Sequence, residues 1–150
     1  MKKKVYYEHD ITTGTSIGLE YEKYLLQSQS KYQNIEIIYT SKYGNAMYLD
    51  GCFMLSERNQ DYYHDKCISL VPSSVKNILI IGGGDYAIAS KLAVQIGIKS
   101  VQIVEIDIEV IKMSKKYFPN HFKLSEKERS KINLVVQDGM HFIRKNTEKF

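Results

Sequence analysis

Asn77-Ile78-Leu79-Ile80-Ile81-Gly82-Gly83-Gly84-Asp85 is the stretch on which the reading of the whole chain turns. An unbroken Ile/Leu run of strand length predicts a strand buried on both faces, as in a parallel sheet covered by helices. It stops at three glycines, which let the backbone turn sharply and let a ligand come close to it. Gly82-x-Gly84-x-x-Ala87 fits the dinucleotide-binding spacing, a pattern of low specificity by itself. Asp85 is more informative. A carboxylate there would repel a pyrophosphate, by roughly 4 kcal/mol for two unit charges 4 Å apart at an effective dielectric near 20. The loop therefore reads as a seat for a ligand without phosphates, and for a cationic one.

Downstream, the pattern alternates. A helix from about Tyr86 to Gln95 is ended by Gly97, and Val101 to Asp107 forms the next strand. A helix from Glu109 to Tyr117 stops at Pro119. A loop of Ser, Glu and Lys then leads to a strand over Ile132–Val136, with Asp138-Gly139 at its end and a last helix from Met140 to about Lys145. Strands alternating with helices imply right-handed parallel crossovers, and ligands of such sheets sit beyond the carboxyl ends of the strands. Those three ends carry Asp85, Glu105 and Asp138.

Upstream, three short strands are predicted over Ile35–Thr40, Ala46–Leu49 and Cys52–Leu55, joined by turns at 42–45 and at Asp50-Gly51. Such a meander needs a second surface over its apolar face. Ser56 followed by acidic residues predicts a helix start, and that helix carries Tyr62, Tyr63, His64, Cys67 and Leu70 before ending near Pro72. Residues 1 to about 30 hold no strong motif, and Leu19–Gln29 suits a short helix or a strand equally. The organisation expected is α/β: an antiparallel β-rich domain with a connecting helix over 1–73, then a parallel-sheet domain over 74–150.

The length of 150 residues allows one domain or two small lobes, and 43% apolar residues are enough for a core. The net charge of +4 is mild, and the late lysines and arginines read as solvated surface. No aromatic-interleaved basic stripe supports a nucleic-acid partner. Cys52 and Cys67 have neither metal-ligand nor disulfide spacing, which points to a reducing cytoplasm and to no metal site. Met1-Lys2-Lys3-Lys4 has the charge of a signal-peptide start, but Tyr6-Tyr7-Glu8-His9-Asp10 follows instead of an apolar segment, so neither export nor a membrane location is expected.

Several separate stretches together resemble the polyamine aminopropyltransferases, the spermidine synthase family. They are Tyr32-Gln33, Gly44 with Leu49-Asp50-Gly51, Glu57-Arg58, Tyr63-His64, Ile80 to Asp85, Val104-Glu105-Ile106-Asp107, Ser114-Lys115-Lys116 and Asp138-Gly139. The resemblance implies a small N-terminal antiparallel β domain followed by the first half of a Rossmann-like domain of the class I methyltransferase type. It implies transfer of an aminopropyl group from decarboxylated S-adenosylmethionine to putrescine or another polyamine, leaving methylthioadenosine. The nucleoside is a co-substrate, and no cofactor is expected. By the same resemblance, Glu105 takes the ribose hydroxyls, Asp85 the terminal ammonium of the donor, and Asp138 the adenine amino group with Gly139 alongside. Gln33 and His64 complete the donor site, Tyr63 lines the acceptor site, and Gly82, Gly83 and Gly84 form the loop.

The chain departs from the family at Tyr86, where glycine is usual, at Ser90-Lys91 in place of an Arg-Glu pair, and at Asn59-Gln60 in place of Asp-Glu. The family's general-base Asp is expected beyond Phe150, so no catalytic residue is assigned within the chain. The expectation is thus of a truncated product, a fragment, or a chain stabilised by association, with a homo-oligomer as the assembly. Other functions compete: an inactive donor-binding or regulatory subunit, a methyltransferase using ordinary S-adenosylmethionine, and an NAD-dependent oxidoreductase. Asp85 opposes the cofactor carboxylate in the second of these and the pyrophosphate in the third.

Overall fold

The computed structural model describes residues 4–150, so the Met1-Lys2-Lys3 start weighed above as a leader lies outside the described residues. The chain divides into two compact units, one running to Asp61 and the other from Tyr62.

In the first unit, β1 (Lys4–Asp10) and β2 (Thr15–Tyr21) form an antiparallel hairpin. The strands β3 (Lys23–Gln29), β4 (Asn34–Thr40), β5 (Gly44–Leu49) and β6 (Cys52–Ser56) form an antiparallel sheet in that order. The expected meander is β4 to β6, and β3 adds a fourth strand at its edge. Leu19–Gln29 is not one element: it spans the end of β2 and all of β3. A register shift between Tyr24 and Leu26 breaks the alternation that would have marked β3 as a strand.

The hairpin supplies the second surface that the meander requires. Tyr6, Leu19 and Tyr21 pack on Ile38, Ala46 and Tyr48, with the Tyr6 and Tyr48 rings 4.1 Å apart. Glu36 shares a sheet face with Ile38 and takes phenol protons from two sides. The Tyr6 hydroxyl donates to it at 2.6 Å, and the Tyr24 hydroxyl donates to its other oxygen.

The helix does not begin at Ser56 as its capping chemistry suggested. Ser56 closes β6, and its hydroxyl donates to the Arg58 carbonyl. Glu57 folds back over Gly44 (φ 69°), where any Cβ would collide with it, and accepts from the Asn45 amide at 3.1 Å. The Arg58 guanidinium donates to the Ser41 carbonyl at 2.7 Å. Residues 56–58 therefore staple the β4–β5 turn, and the helix starts only at Asp61.

The second unit holds α1 (Asp61–Ser69, beginning one residue earlier), β7 (Asn77–Ile81), α2 (Ala87–Ala93), β8 (Ser100–Glu105) and α3 (Ile108–Tyr117). A 3-10 turn (Pro119–Phe122), α4 (Glu126–Arg129), β9 (Ile132–Val136) and α5 (Gly139–Lys145) follow. The sheet is parallel in the order β7-β8-β9, pairing Ile81 with Val104 and Glu105 with Val136. Ala89, Leu92, Ile98, Val101 and Ile103 form its core, with Ile78, Ile80, Ile132 and Leu134 packed around them. The burial on both faces read into the Ile78–Ile81 run belongs instead to β8. β7 pairs with β8 alone among the described residues, and Ile81 is 49% exposed.

The segment read as a plain loop contains α4, started by a reciprocal cap. The Ser125 hydroxyl accepts from the Glu128 amide, while the Glu128 carboxylate accepts from the Ser125 amide. Among the described residues, no helix is long and apolar enough to cross a membrane.

Tyr86 precedes α2 with a left-handed backbone, φ 65°. That conformation costs an L-residue roughly 1–2 kcal/mol and a glycine almost nothing, which accounts for the glycine expected here from the family resemblance. The Tyr86 ring lies 4.6 Å from the Phe122 ring, a packing contact that offsets the strain.

Two outcomes are expected from these contacts. Burial pushes the Tyr48 phenol up to about 12, and burial together with Glu36 pushes Tyr6 and Tyr24 well above the ordinary tyrosine value. Raised folded values contribute stability that is complete below the unfolded tyrosine value near 10, and that is lost as pH climbs through the folded ones. Phenolate absorbance with circular dichroism should therefore show a flat plateau up to about pH 10 and loss of β signal above it, with Glu36→Gln moving the Tyr6 and Tyr24 titrations down. At Tyr86, Ala loses the ring and keeps the strain, whereas Gly loses the ring and relieves the strain. Urea midpoints should place Tyr86→Ala below the parent and about 1 kcal/mol below Tyr86→Gly; an Ala variant as stable as the Gly variant would contradict the left-handed assignment.

Candidate functional site

The glycine loop departs from β7 with Gly82 and Gly83 at φ 83° and 76°, values that call for residues without a Cβ. The Gly82 amide still donates to the Val104 carbonyl at 2.8 Å, so pairing with β8 runs one residue past the strand. The chain then turns, and the Gly84 amide donates to Glu105 Oε2 at 3.1 Å. A Cβ on Gly84 would stand 3.0 Å from that same oxygen, a crowded approach that glycine avoids.

Glu105 is the last residue of β8 and is buried. Its Oε1 accepts from the Asp107 amide at 2.9 Å. Both carboxylate oxygens are thus held by backbone amides, and each keeps a further lone pair for a ligand donor. Asp107 in turn caps α3, accepting from the Glu109 amide at 3.0 Å.

Asp85 closes the loop. Its Oδ1 accepts from the Ala87 amide at 3.3 Å, and its Oδ2 lies 3.5 Å from His64 Nε2 on α1. His64 is only 4% exposed, and among the described residues its Nδ1 has no hydrogen-bond partner. Tyr63 stands beside it, with ring centroids 5.5 Å apart, and is 65% exposed. A hydrogen bond with Cys67, one helical turn on, pushes the Tyr63 phenol above its ordinary value.

Asp138 caps α5, its Oδ1 accepting from the His141 amide at 2.7 Å, and it is exposed. Gly139 abuts the end of β7: a Cβ there would come within 2.5 Å of Ile81 Cγ2. The Gln137 amide donates to the Glu105 carbonyl at 3.0 Å. Asp85, Glu105, Asp138, Gly139 and the three glycines therefore share one end of one sheet, with His64 and Tyr63 joining from α1. Gln33 belongs to the first unit. It lies at the β3–β4 turn, half-buried, with its amide on the Ser30 hydroxyl at 3.0 Å and its carbonyl accepting from the Ser30 amide at 2.9 Å.

Sequence reasoning passed over His121. From the 3-10 turn its Nδ1 donates to the Asp85 carbonyl at 2.9 Å, across 36 positions of chain. The Ser90 hydroxyl of α2 donates to the His121 carbonyl. Ser90-Lys91, which replaces an expected Arg-Glu pair, thus has its own partners: the turn for Ser90, and Asp65 at 2.6 Å for Lys91. Pro119 marked the end of the helix, but nothing local foretold which loop the turn at Pro119–Phe122 would meet.

In chemical terms the site offers carboxylate acceptors on a backbone open to close approach. That suits a ligand rich in hydroxyl and ammonium donors. Among the described residues no cluster of three His, Cys, Asp or Glu side chains could hold a metal ion.

Comparison with known proteins agrees with this architecture. Residues 53–150 match the family model described as the spermine/spermidine synthase domain, and residues 5–57 match the spermidine synthase tetramerisation domain. The polyamine aminopropyltransferase of Alkaliphilus metalliredigens is 33% identical over 150 residues, covering 98% of this chain and 52% of that protein. A crystal structure of spermidine synthase from Thermotoga maritima superposes with a TM-score of 0.86 at 22% identity, over 99% of this chain and 54% of its own. A spermidine synthase in complex with the transition-state analogue AdoDATO gives 0.86 at 23% identity, over 99% and 52%. The chain spans about half the length of the curated relatives it matches. The fold is that of spermidine synthase, and the chain belongs to the spermine/spermidine synthase family of polyamine aminopropyltransferases.

Proposed function

We propose that this chain binds decarboxylated S-adenosylmethionine and serves transfer of its aminopropyl group to putrescine, in the manner of a spermidine synthase. In that reaction an amine nitrogen attacks the methylene carbon beside the sulfonium. The carbon–sulfur bond breaks toward sulfur, neutral methylthioadenosine leaves, and the new secondary ammonium gives up a proton. The protein must hold two cations in line, which acidic side chains favour by offsetting both charges.

The observation that carries the reading is the Glu105 carboxylate, fixed by the Gly84 and Asp107 amides with Asp85 on the same loop. We assign Glu105 to the ribose hydroxyls, Asp85 to the donor's ammonium, and Asp138 with Gly139 to the adenine edge. Gln33 and His64 complete the donor site, and Tyr63 faces the acceptor. By the family resemblance the base that removes the amine proton is expected beyond Phe150, and we assign none to these acids. Self-association through the first unit belongs to the same reading, supported by the match of residues 5–57, and so does a cytoplasmic location.

Calorimetry with decarboxylated and ordinary S-adenosylmethionine tests the proposal. Tighter binding of the decarboxylated form is expected, because Asp85 would oppose the extra carboxylate of the other. Replacing Asp85 by Asn should weaken the decarboxylated donor about tenfold or more, the usual size for a charge-assisted contact. Equal affinity for the two nucleosides, or indifference to Asp85→Asn, would defeat the assignment. Adding putrescine and measuring methylthioadenosine then separates a transferase from a donor-binding subunit without turnover.

A further inference from the structure

We propose that His121 is a positioning residue for the donor's aminopropyl arm, setting where the Asp85 carboxylate stands; this rests on the donor-binding reading above. The need for such a residue is physical. Three consecutive glycines precede Asp85, and glycine has the largest backbone freedom of any residue. A carboxylate at the end of that stretch is well placed only if something beyond the loop holds it.

His121 is built to do so. Its Nδ1 lies 2.9 Å from the Asp85 carbonyl oxygen. A carbonyl only accepts, so Nδ1 carries the proton and the ring is held as a donor toward the loop. The ring is itself fixed, lying near-parallel to the buried Phe118 ring at 6.2 Å and edge-on to His64 at 6.1 Å. Its backbone is held separately, because the Ser90 hydroxyl donates to the His121 carbonyl. One short turn is therefore anchored to α2 through its main chain and to the glycine loop through its side chain. The Tyr86–Phe122 ring contact adds a third attachment on the residue that follows Asp85.

Asp85 is consequently gripped at its carbonyl by His121 and at its carboxylate by the Ala87 amide, with His64 facing the remaining oxygen. The contacts that fix His121 run to Asp85, Ser90, Phe118 and His64, on the side of the loop assigned to the ammonium. Its effect should be confined to the ammonium end of the ligand.

That confinement gives the test. Methylthioadenosine has the adenine and ribose of the donor but lacks the aminopropyl arm. In calorimetry on the full chain, His121→Phe, which keeps a ring on Phe118 but removes the donor, should weaken decarboxylated S-adenosylmethionine about tenfold and methylthioadenosine less than about twofold. His121→Asn, whose amide can donate from nearly the same position, should recover most of the loss. An equal loss for both ligands, no loss for either, or no recovery with Asn would overturn the proposal. If His121→Phe does not fold by circular dichroism, His121→Ala carries the same comparison. A parent chain that binds the decarboxylated donor no better than methylthioadenosine would remove the donor-binding reading itself, and this inference with it, whereas a parent that discriminates and a variant that still does would remove only the role of His121.

Discussion

Glu105 is held through two backbone amides, one from the glycine loop after β7 and one from the start of the connection into α3. A buried carboxylate is costly unless its oxygens are satisfied, and here the satisfaction comes from the two segments that form the rim of the sheet. The loop cannot move without orphaning Oε2, and the entry to α3 cannot move without orphaning Oε1. The remaining features of the rim follow from that constraint. A Cβ on Gly84 would crowd Glu105 Oε2 at 3.0 Å, the Asp107 whose amide meets Oε1 also caps α3, and Asp85 follows Gly84 directly in the chain.

Beyond that point the rim is assembled by contacts distant in the chain. The 3-10 turn after α3 reaches back to the loop through His121, α2 reaches the turn through Ser90, and α5 presses its first glycine on Ile81. The first unit uses a comparable device on another scale. There Glu36 draws Tyr6 of the hairpin and Tyr24 of the sheet edge onto one carboxylate, joining two sheets by one charge. In each unit a single acid organises groups that local propensity does not bring together.

How much of this was readable beforehand depends on the range of the forces involved. The runs Ile78–Ile81, Val101–Glu105 and Ile132–Val136 announced their strands because Ile, Leu and Val dominate them at strand length, although among the described residues only β8 has a neighbour on each side. Glu105 and Asp85 could be singled out because they stand at the carboxyl ends of the strands, where ligands of such sheets sit. The hairpin and β3 were not legible, since half-exposed strands tolerate Lys, Glu and Gln, and a bulge removed the period of two. Ser56 misled because its local chemistry suits a helix cap, while the carbonyl it meets belongs to Arg58 at the end of the meander. Ser125 to Glu128 did carry the signature of a reciprocal cap, without the apolar periodicity that would have drawn attention to so short a helix. His121 lay beyond any local rule, because its partner is set by tertiary packing.

The two amides on Glu105 also bear on how the site can be interrogated. The customary neutral replacement of a carboxylate is the carboxamide of the same shape, chosen so that only charge is lost. At this position the side-chain NH2 of a glutamine would face either the Gly84 N–H or the Asp107 N–H, whichever way the group is turned. Two donors then oppose each other inside a buried contact, at a cost of about 1–3 kcal/mol for the unsatisfied group. An isosteric change at Glu105 is therefore as much a lesion of the sheet rim as of any ligand contact, and lost binding in such a variant would measure both together.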